Sequence, residues 1–194
     1  MKIGVFTYTF PHWKTQMGLL HLCLHGYKPD VIFAASPVKL DFYQSKIRIN
    51  PKDLYLHDAK TICKWQKIKY YNTIHNSNET ETLIKEHNLD IGIILGSRIL
   101  KKQIIDAFSV GIINMHPGIL PLNRGLDNVK WSIINNYPLG ATAHLIDKHI
   151  DIGKLITQEE IKVYKDDVLV DFSIRILNLE QKLMIEALGK IKQK

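Results

Sequence analysis

Apolar positions recur along this chain in two rhythms. Short continuous runs rich in β-branched and aromatic residues are the pattern of strands buried on both faces. They are "KIGVFTY" (residues 2–8), "DVIFAAS" (30–36), "IKYYNTI" (68–74), "LDIGIILGS" (89–97) and "VGIINMH" (110–116). Between them, apolar residues fall at helical spacing in "TQMGLLHLCLHG" (15–26), "NETETLIKEHN" (78–88), "ILKKQIIDAFS" (99–109) and "LDNVKWSIINN" (126–136). Gly26 is a fitting stop for the first of these helices. The stretch from residue 37 to 69 is more polar and reads as a loop with one helix around "HDAKTICKWQ". "GATAHLID" and "KLITQEEIKVY" suit strands, and the tail from residue 166 has helical spacing to the end. Strands alternating with helices predict an α/β fold: a mostly parallel, twisted sheet with helices on both faces. The chain has 194 residues and no linker-like or repeated segment, so one domain over residues 1–194 is expected.

The rhythm also locates the chemistry. In such sheets ligands sit beyond the carboxyl ends of the strands. The run "GIINMH" ends with Asn114 and His116, two residues apart, followed at once by Pro117 and Gly118. Residues i and i+2 of a strand share a face. An amide donor and an imidazole therefore project together, and Pro-Gly turns the chain away. This pair suits a reaction that develops negative charge on a carbonyl oxygen and moves a proton. A carboxylate beside the imidazole would favour its protonated form, and "HLIDKHIDIG" offers Asp147 and Asp151. Read on residue types alone, the pair is equally a capping Asn beside a structural His.

Composition narrows the partners. No apolar run reaches the ~18 residues of a membrane span, and the N-terminus reads as a first strand rather than a signal peptide. Cys23 and Cys63 stand far apart and fit two reduced cysteines of a cytoplasmic protein. No metal-ligand spacing is present, so no metal is expected. The net charge is +7, which favours an anionic partner such as a nucleotide, a phosphorylated substrate, a polyanionic cofactor or nucleic acid, or is simply a solvated basic surface.

The ordered set "GSRIL", "INMHPGILPLNRG" and "GATAHLIDKHIDIGKLI", within residues 89–166, resembles the formyltransferases that use 10-formyltetrahydrofolate. That family includes glycinamide ribonucleotide formyltransferase, the methionyl-tRNA formyltransferase catalytic domain and the sugar N-formyltransferases. The resemblance implies a Rossmann-like formyltransferase fold and a catalytic trio of Asn114, His116 and Asp151. It implies Arg98, Ile99, Leu100, Asp147 and Ile150 around the folate, and a cis bond at Leu120–Pro121.

Two departures bear on the amine. The purine enzyme holds its substrate phosphate on a glycine-rich loop after the first strand, whereas "TYTFPHWKTQMG" has no glycine before Gly18. The tRNA enzyme carries a further C-terminal domain, whereas about 30 residues follow Tyr164, so tRNA is not expected. The resemblance then points to a small-molecule amine, phosphorylated or nucleotide-linked, with an amino sugar first. Tyr8, Phe10, Trp13, Lys14, Gly118 and Arg124 are the residues expected to meet it; aromatic faces stack on bases and Lys suits phosphate. The alternatives are another small amine including glycinamide ribonucleotide, a formyl-folate hydrolase, and a non-catalytic folate binder. The aromatic loop or an edge strand could also serve a homodimer.

Overall fold

A computed structural model describes residues 1–37, 55–147 and 151–193. Seven strands form one sheet: β1 (Ile3–Tyr8), β2 (Val31–Ala35), β3 (Lys69–Asn72), β4 (Ile91–Ile94), β5 (Gly111–His116), β6 (Gly140–Leu145) and β7 (Leu155–Glu160). Their order across the sheet is β3-β2-β1-β4-β5-β6-β7. The first five pair in parallel, whereas β5–β6 and β6–β7 are antiparallel. The helices are α1 (Trp13–Leu24), α2 (Ala59–Gln66), α3 (Asn78–Glu86), α4 (Lys102–Ile105), α5 (Asn128–Ile134) and α6 (Leu169–Lys192). The expected mostly parallel α/β sheet is therefore what forms.

Period two explains the layers. On one face Val5, Ile32, Ile93 and Ile113 pack with Leu19 and Leu22 of α1, Ile62 of α2, and Leu183 and Met184 of α6. On the other, Phe6, Val31, Phe33 and Ile112 pack with Ile84 of α3 and Ile104 of α4. Adjacent residues of one strand thus serve opposite cores, which is why these strands read as unbroken apolar runs. Each such fully buried side chain contributes about 1.5–3 kcal/mol.

Local signals set the ends. The Asp58 carboxylate caps α2 by accepting from the Thr61 N–H at 2.7 Å, and the Ser77 hydroxyl caps α3 by accepting from Thr80 at 3.2 Å. Gly26 takes φ +78° just past α1. Several elements are shorter than the pattern predicts, β7 and β3 among them, and for two the hydrogen bonds show why. β4 ends at Ile94, because the Leu95 and Gly96 N–H groups both turn back to the Phe6 carbonyl. α4 spans only four residues, since Asn76 holds the chain just before it in a loop: its amide donates to the Ile99 carbonyl at 2.9 Å and accepts from the Lys101 N–H at 2.7 Å. The Leu120–Pro121 peptide is cis. No helix among the described residues is long and apolar enough to cross a membrane.

The strand order places β1 between β2 and β4, so the chain runs outward from the centre in both directions. The crevice at such a switch point opens beyond the carboxyl ends of β1, β4 and β5. Those ends are Tyr8, Ile94 and His116.

Candidate active site

A cavity of about 490 Å³ opens at that switch point. Asn114 and His116 follow Ile112 on one face of β5 and reach its wall. Asn114 stands opposite His144 in the antiparallel β5–β6 pair, and its amide nitrogen lies 3.3 Å from His144 Nε2. His144 is fully buried. Burial pushes its pKa down, with Asp151 opposing the shift. The neutral ring accepts from Asn114, which fixes the amide with its second N–H free for the cavity.

His116 is held at both nitrogens. Nε2 lies 2.7 Å from the Asn123 carbonyl, which can only accept, so Nε2 carries a proton. Nδ1 lies 3.4 Å from Asp151 Oδ2. A second proton on Nδ1 makes this contact an ion pair; without it, a lone pair faces a carboxylate. The same Oδ2 accepts from the Gly125 N–H at 3.0 Å, and Oδ1 lies 3.8 Å from His144 Nε2. Gly125 adopts φ +89°, a backbone that favours glycine. Asp151 itself sits at φ +53°, which Asp tolerates better than most residues.

The loop after β5 is braced from beneath. The Thr142 hydroxyl donates to the Gly118 carbonyl at 2.7 Å and accepts from the Leu120 N–H at 3.2 Å. The buried Asn123 amide donates to the Asn128 carbonyl and the Ser132 hydroxyl, each at 2.7 Å. His116 therefore takes its orientation from a loop that is itself bonded down.

Arg98, Ile99, Leu100 and Asp147 line the same cavity, as do Tyr8 and Lys14. Burial raises the Tyr8 phenol, and Arg98 partly offsets this. Ile150 lies outside the described residues. The other expected substrate residues are placed elsewhere. Phe10 is outside the cavity lining and stacks on Tyr8, with ring centroids 5.0 Å apart. Trp13 opens on a second cleft instead. Arg124 is exposed and outside the lining. Gly118 packs behind His116; a Cβ there would meet the Asn123 carbonyl oxygen at 2.9 Å and His116 Nε2 at 3.2 Å. The expectation that Lys14 meets a phosphate is also altered. Its ammonium is already paired with Glu180 at 2.6 Å and donates to the Met115 carbonyl at 2.8 Å.

The second cleft, of about 330 Å³, lies between α1, α5 and α6 and is lined by Trp13, Val129, Ser173, Ile176, Leu177 and Glu180. It shares His12, Lys14 and Pro117 with the first cavity. Sequence reasoning missed His12, Asn76, Asn123 and Glu180. His12, Asn76 and Glu180 belong to no local pattern that separates them from ordinary loop or helix residues, and Asn123, though inside "INMHPGILPLNRG", gives no local sign that its carbonyl meets His116.

The doubly wound sheet thus gathers an amide, an imidazole and a carboxylate at its switch point. Residues 28–188 match the Formyl transferase family model, and the chain belongs to that family. It is similar to a methionyl-tRNA formyltransferase of Borrelia garinii subsp. bavariensis, 31% identical over 126 residues, covering 64% of this chain and 40% of that protein. The chain thus spans about two-fifths of the length of the curated relatives it matches. The fold is similar to a phosphoribosylglycinamide formyltransferase of Bacillus halodurans at a TM-score of 0.75, with 19% identity, over 100% of this chain and 96% of that one. It is also similar to a sugar N-formyltransferase of Shewanella sp. at 0.65, with 22% identity, over 97% and 68%.

Proposed function

We propose that this protein transfers the formyl group of 10-formyltetrahydrofolate to the amine of a small acceptor, with a nucleotide-linked amino sugar as the acceptor class. The observation that carries the reading is the convergence of Asn114, His116 and Asp151 on one cavity wall, where a second cleft meets the first. Two compartments that share a boundary beside an oxyanion donor fit a reaction between two bound molecules.

In this reading the folate lies in the larger cavity, against Arg98, Ile99, Leu100 and Asp147. A neutral amine enters from the smaller cleft and attacks the formyl carbon. The free N–H of Asn114 donates to the developing oxyanion, and His116 contributes the Nδ1 edge that faces Asp151. Asp151 sets the charge of His116 and assists removal of the amine proton. Trp13 and Glu180 suit the sugar part of the acceptor, the ring through its apolar face and the carboxylate through hydroxyls.

The test is tetrahydrofolate release from 10-formyltetrahydrofolate with no amine, glycinamide ribonucleotide, several nucleotide-linked amino sugars, and methionyl-tRNA. Turnover with one sugar nucleotide is expected. Release without amine would make the protein a hydrolase, and binding without release a folate-binding protein. Methionyl-tRNA is the second reading, favoured by the names of the sequence relatives and by the +7 charge. Turnover with it alone would replace the sugar.

A further inference from the structure

The boundary between the two cavities is formed by His12, Lys14 and Pro117. Lys14 is a donor already engaged with Glu180 and the Met115 carbonyl. Pro117 has no N–H and no polar side chain. His12 is the remaining polar side chain there, and its proton can be placed. The Thr7 hydroxyl donates to the Tyr8 carbonyl at 3.3 Å. With that contact made, Thr7 accepts from the Thr15 hydroxyl, 2.8 Å away, the direction of the chain that uses all three contacts. Thr15, having donated its proton, must accept from His12 Nδ1 at 2.9 Å. His12 therefore carries its proton on Nδ1. Its Nε2 makes no hydrogen bond among the described residues and offers a lone pair.

We infer that His12 is an amine-positioning residue, whose Nε2 accepts an N–H of the acceptor amine at the junction of the two cavities. The inference rests on the formyl-transfer reading above and deepens it. A primary amine has two N–H bonds and one lone pair. The lone pair forms the new bond to the formyl carbon, and the bond from that carbon to folate N10 breaks. One amine proton ends on N10, and the other stays in the formamide product. His12 holds the proton that stays, so it gains and loses none. Holding that N–H turns the lone pair toward the carbon next to Asn114 and His116. Burial and the Lys14 ammonium push His12 down to about 4, so its lone pair persists at neutral pH.

The experiment has two arms. In the first, His12→Phe keeps a ring of similar shape without the acceptor. It should lower kcat/KM for the amine roughly three- to tenfold, the worth of a hydrogen bond, while the KM for folate stays within about twofold. His12→Gln, whose amide oxygen accepts, should recover part of the loss. In the second, nitrogen NMR of the wild-type imidazoles should show His12 protonated on Nδ1 and unprotonated on Nε2, with Thr15→Val blurring that preference. Unchanged kcat/KM for the amine in a folded His12→Phe protein would overturn the inference, as would a proton on Nε2. The NMR arm stands even where His12→Phe does not fold. Failure of the wild-type protein to use any amine is a different outcome: it removes the formyl-transfer reading, and this inference with it.

Discussion

The two cavities that meet at His12 are built by different parts of the chain. The larger one is made by strand ends and the turns that leave them, chiefly residues 94–100 and 114–117. Sheet register fixes its walls: Ile94 pairs with Asn114, and Asn114 with His144. The smaller one is made by helices from opposite ends of the sequence, and an ion pair between Lys14 and Glu180 spans 166 positions to join them. A strand end is held by neighbours on both sides, so chemistry placed there is held by the whole sheet. A cleft between helices depends on a few side chains, and so can change with little effect on the sheet. This fits a shared formyl donor on one side and a variable acceptor on the other.

The largest effect should come from the strand-end side. Asn114→Ala removes the proposed oxyanion donor and should lower kcat by about 10²–10³, as should His116→Ala. Asp151→Ala should cost about 10²–10⁴ if it assists the proton transfer. Folding should persist, because the sheet pairing at β5 is made by backbone. Steady-state rates beside thermal melts check both statements. Wild-type turnover in all three variants would break the assignment of chemistry to this side.

The next effect tests the helix side. Glu180 is 5% exposed and Lys14 22% exposed at their side chains. Glu180→Gln leaves a poorly compensated ammonium and should cost about 1.5–3 kcal/mol of stability. The double change Lys14→Met with Glu180→Leu should recover most of that loss, since apolar replacements of a buried pair are often neutral. Urea denaturation of the wild type and the two variants measures it. A single variant as stable as wild type would show that the pair does not join α1 to α6.

This contrast also explains what could be read from the sequence. The strands were legible because burial on both faces writes continuous apolar runs such as "VIFAA" and "IGII". Asn114 and His116 were legible because a strand's period of two is local. Asp151 was reached through a family resemblance, since its approach to His116 depends on the Gly125 turn and a left-handed backbone that no spacing announces. The positions of Phe10, Gly118 and Arg124 relative to the cavity lining are not legible in the sequence for a related reason. Closeness in sequence to the motif does not say whether a side chain points into the cavity or packs behind it. Glu180 is one of several charges along α6, and only the tertiary fold brings it to Lys14.

A smaller effect sharpens the division between the two sides. Leu100 is buried in the larger cavity's wall, and Leu100→Ala should raise the KM for folate several-fold more than that for the amine. Trp13→Ala, in the smaller cleft, should do the reverse. Each change of about 1 kcal/mol corresponds to roughly fivefold. Equal changes in both constants would mean that the cavities do not divide the substrates.

The smallest predicted effect concerns His12 at the junction, read through stability rather than rate. Its pKa is lowered from 6.5 to about 4. The unfolded chain therefore binds more protons than the folded one between these values, and stability must fall as pH falls through that window. From pH 7 to pH 6, His12 alone should cost about 0.7 kcal/mol. His75 and His144 are lowered as well, both chiefly by burial, and add in the same direction. Urea midpoints at the two pH values measure the sum, and the same pair of curves on His12→Phe isolates one part of it. A wild-type slope that the variant leaves unchanged would mean that His12 is protonated in the fold as readily as in the unfolded chain. Below about pH 6.5 the ring could then no longer stand at the junction as a neutral acceptor, and there the boundary between the cavities would carry two cations, the imidazolium and Lys14, in place of one.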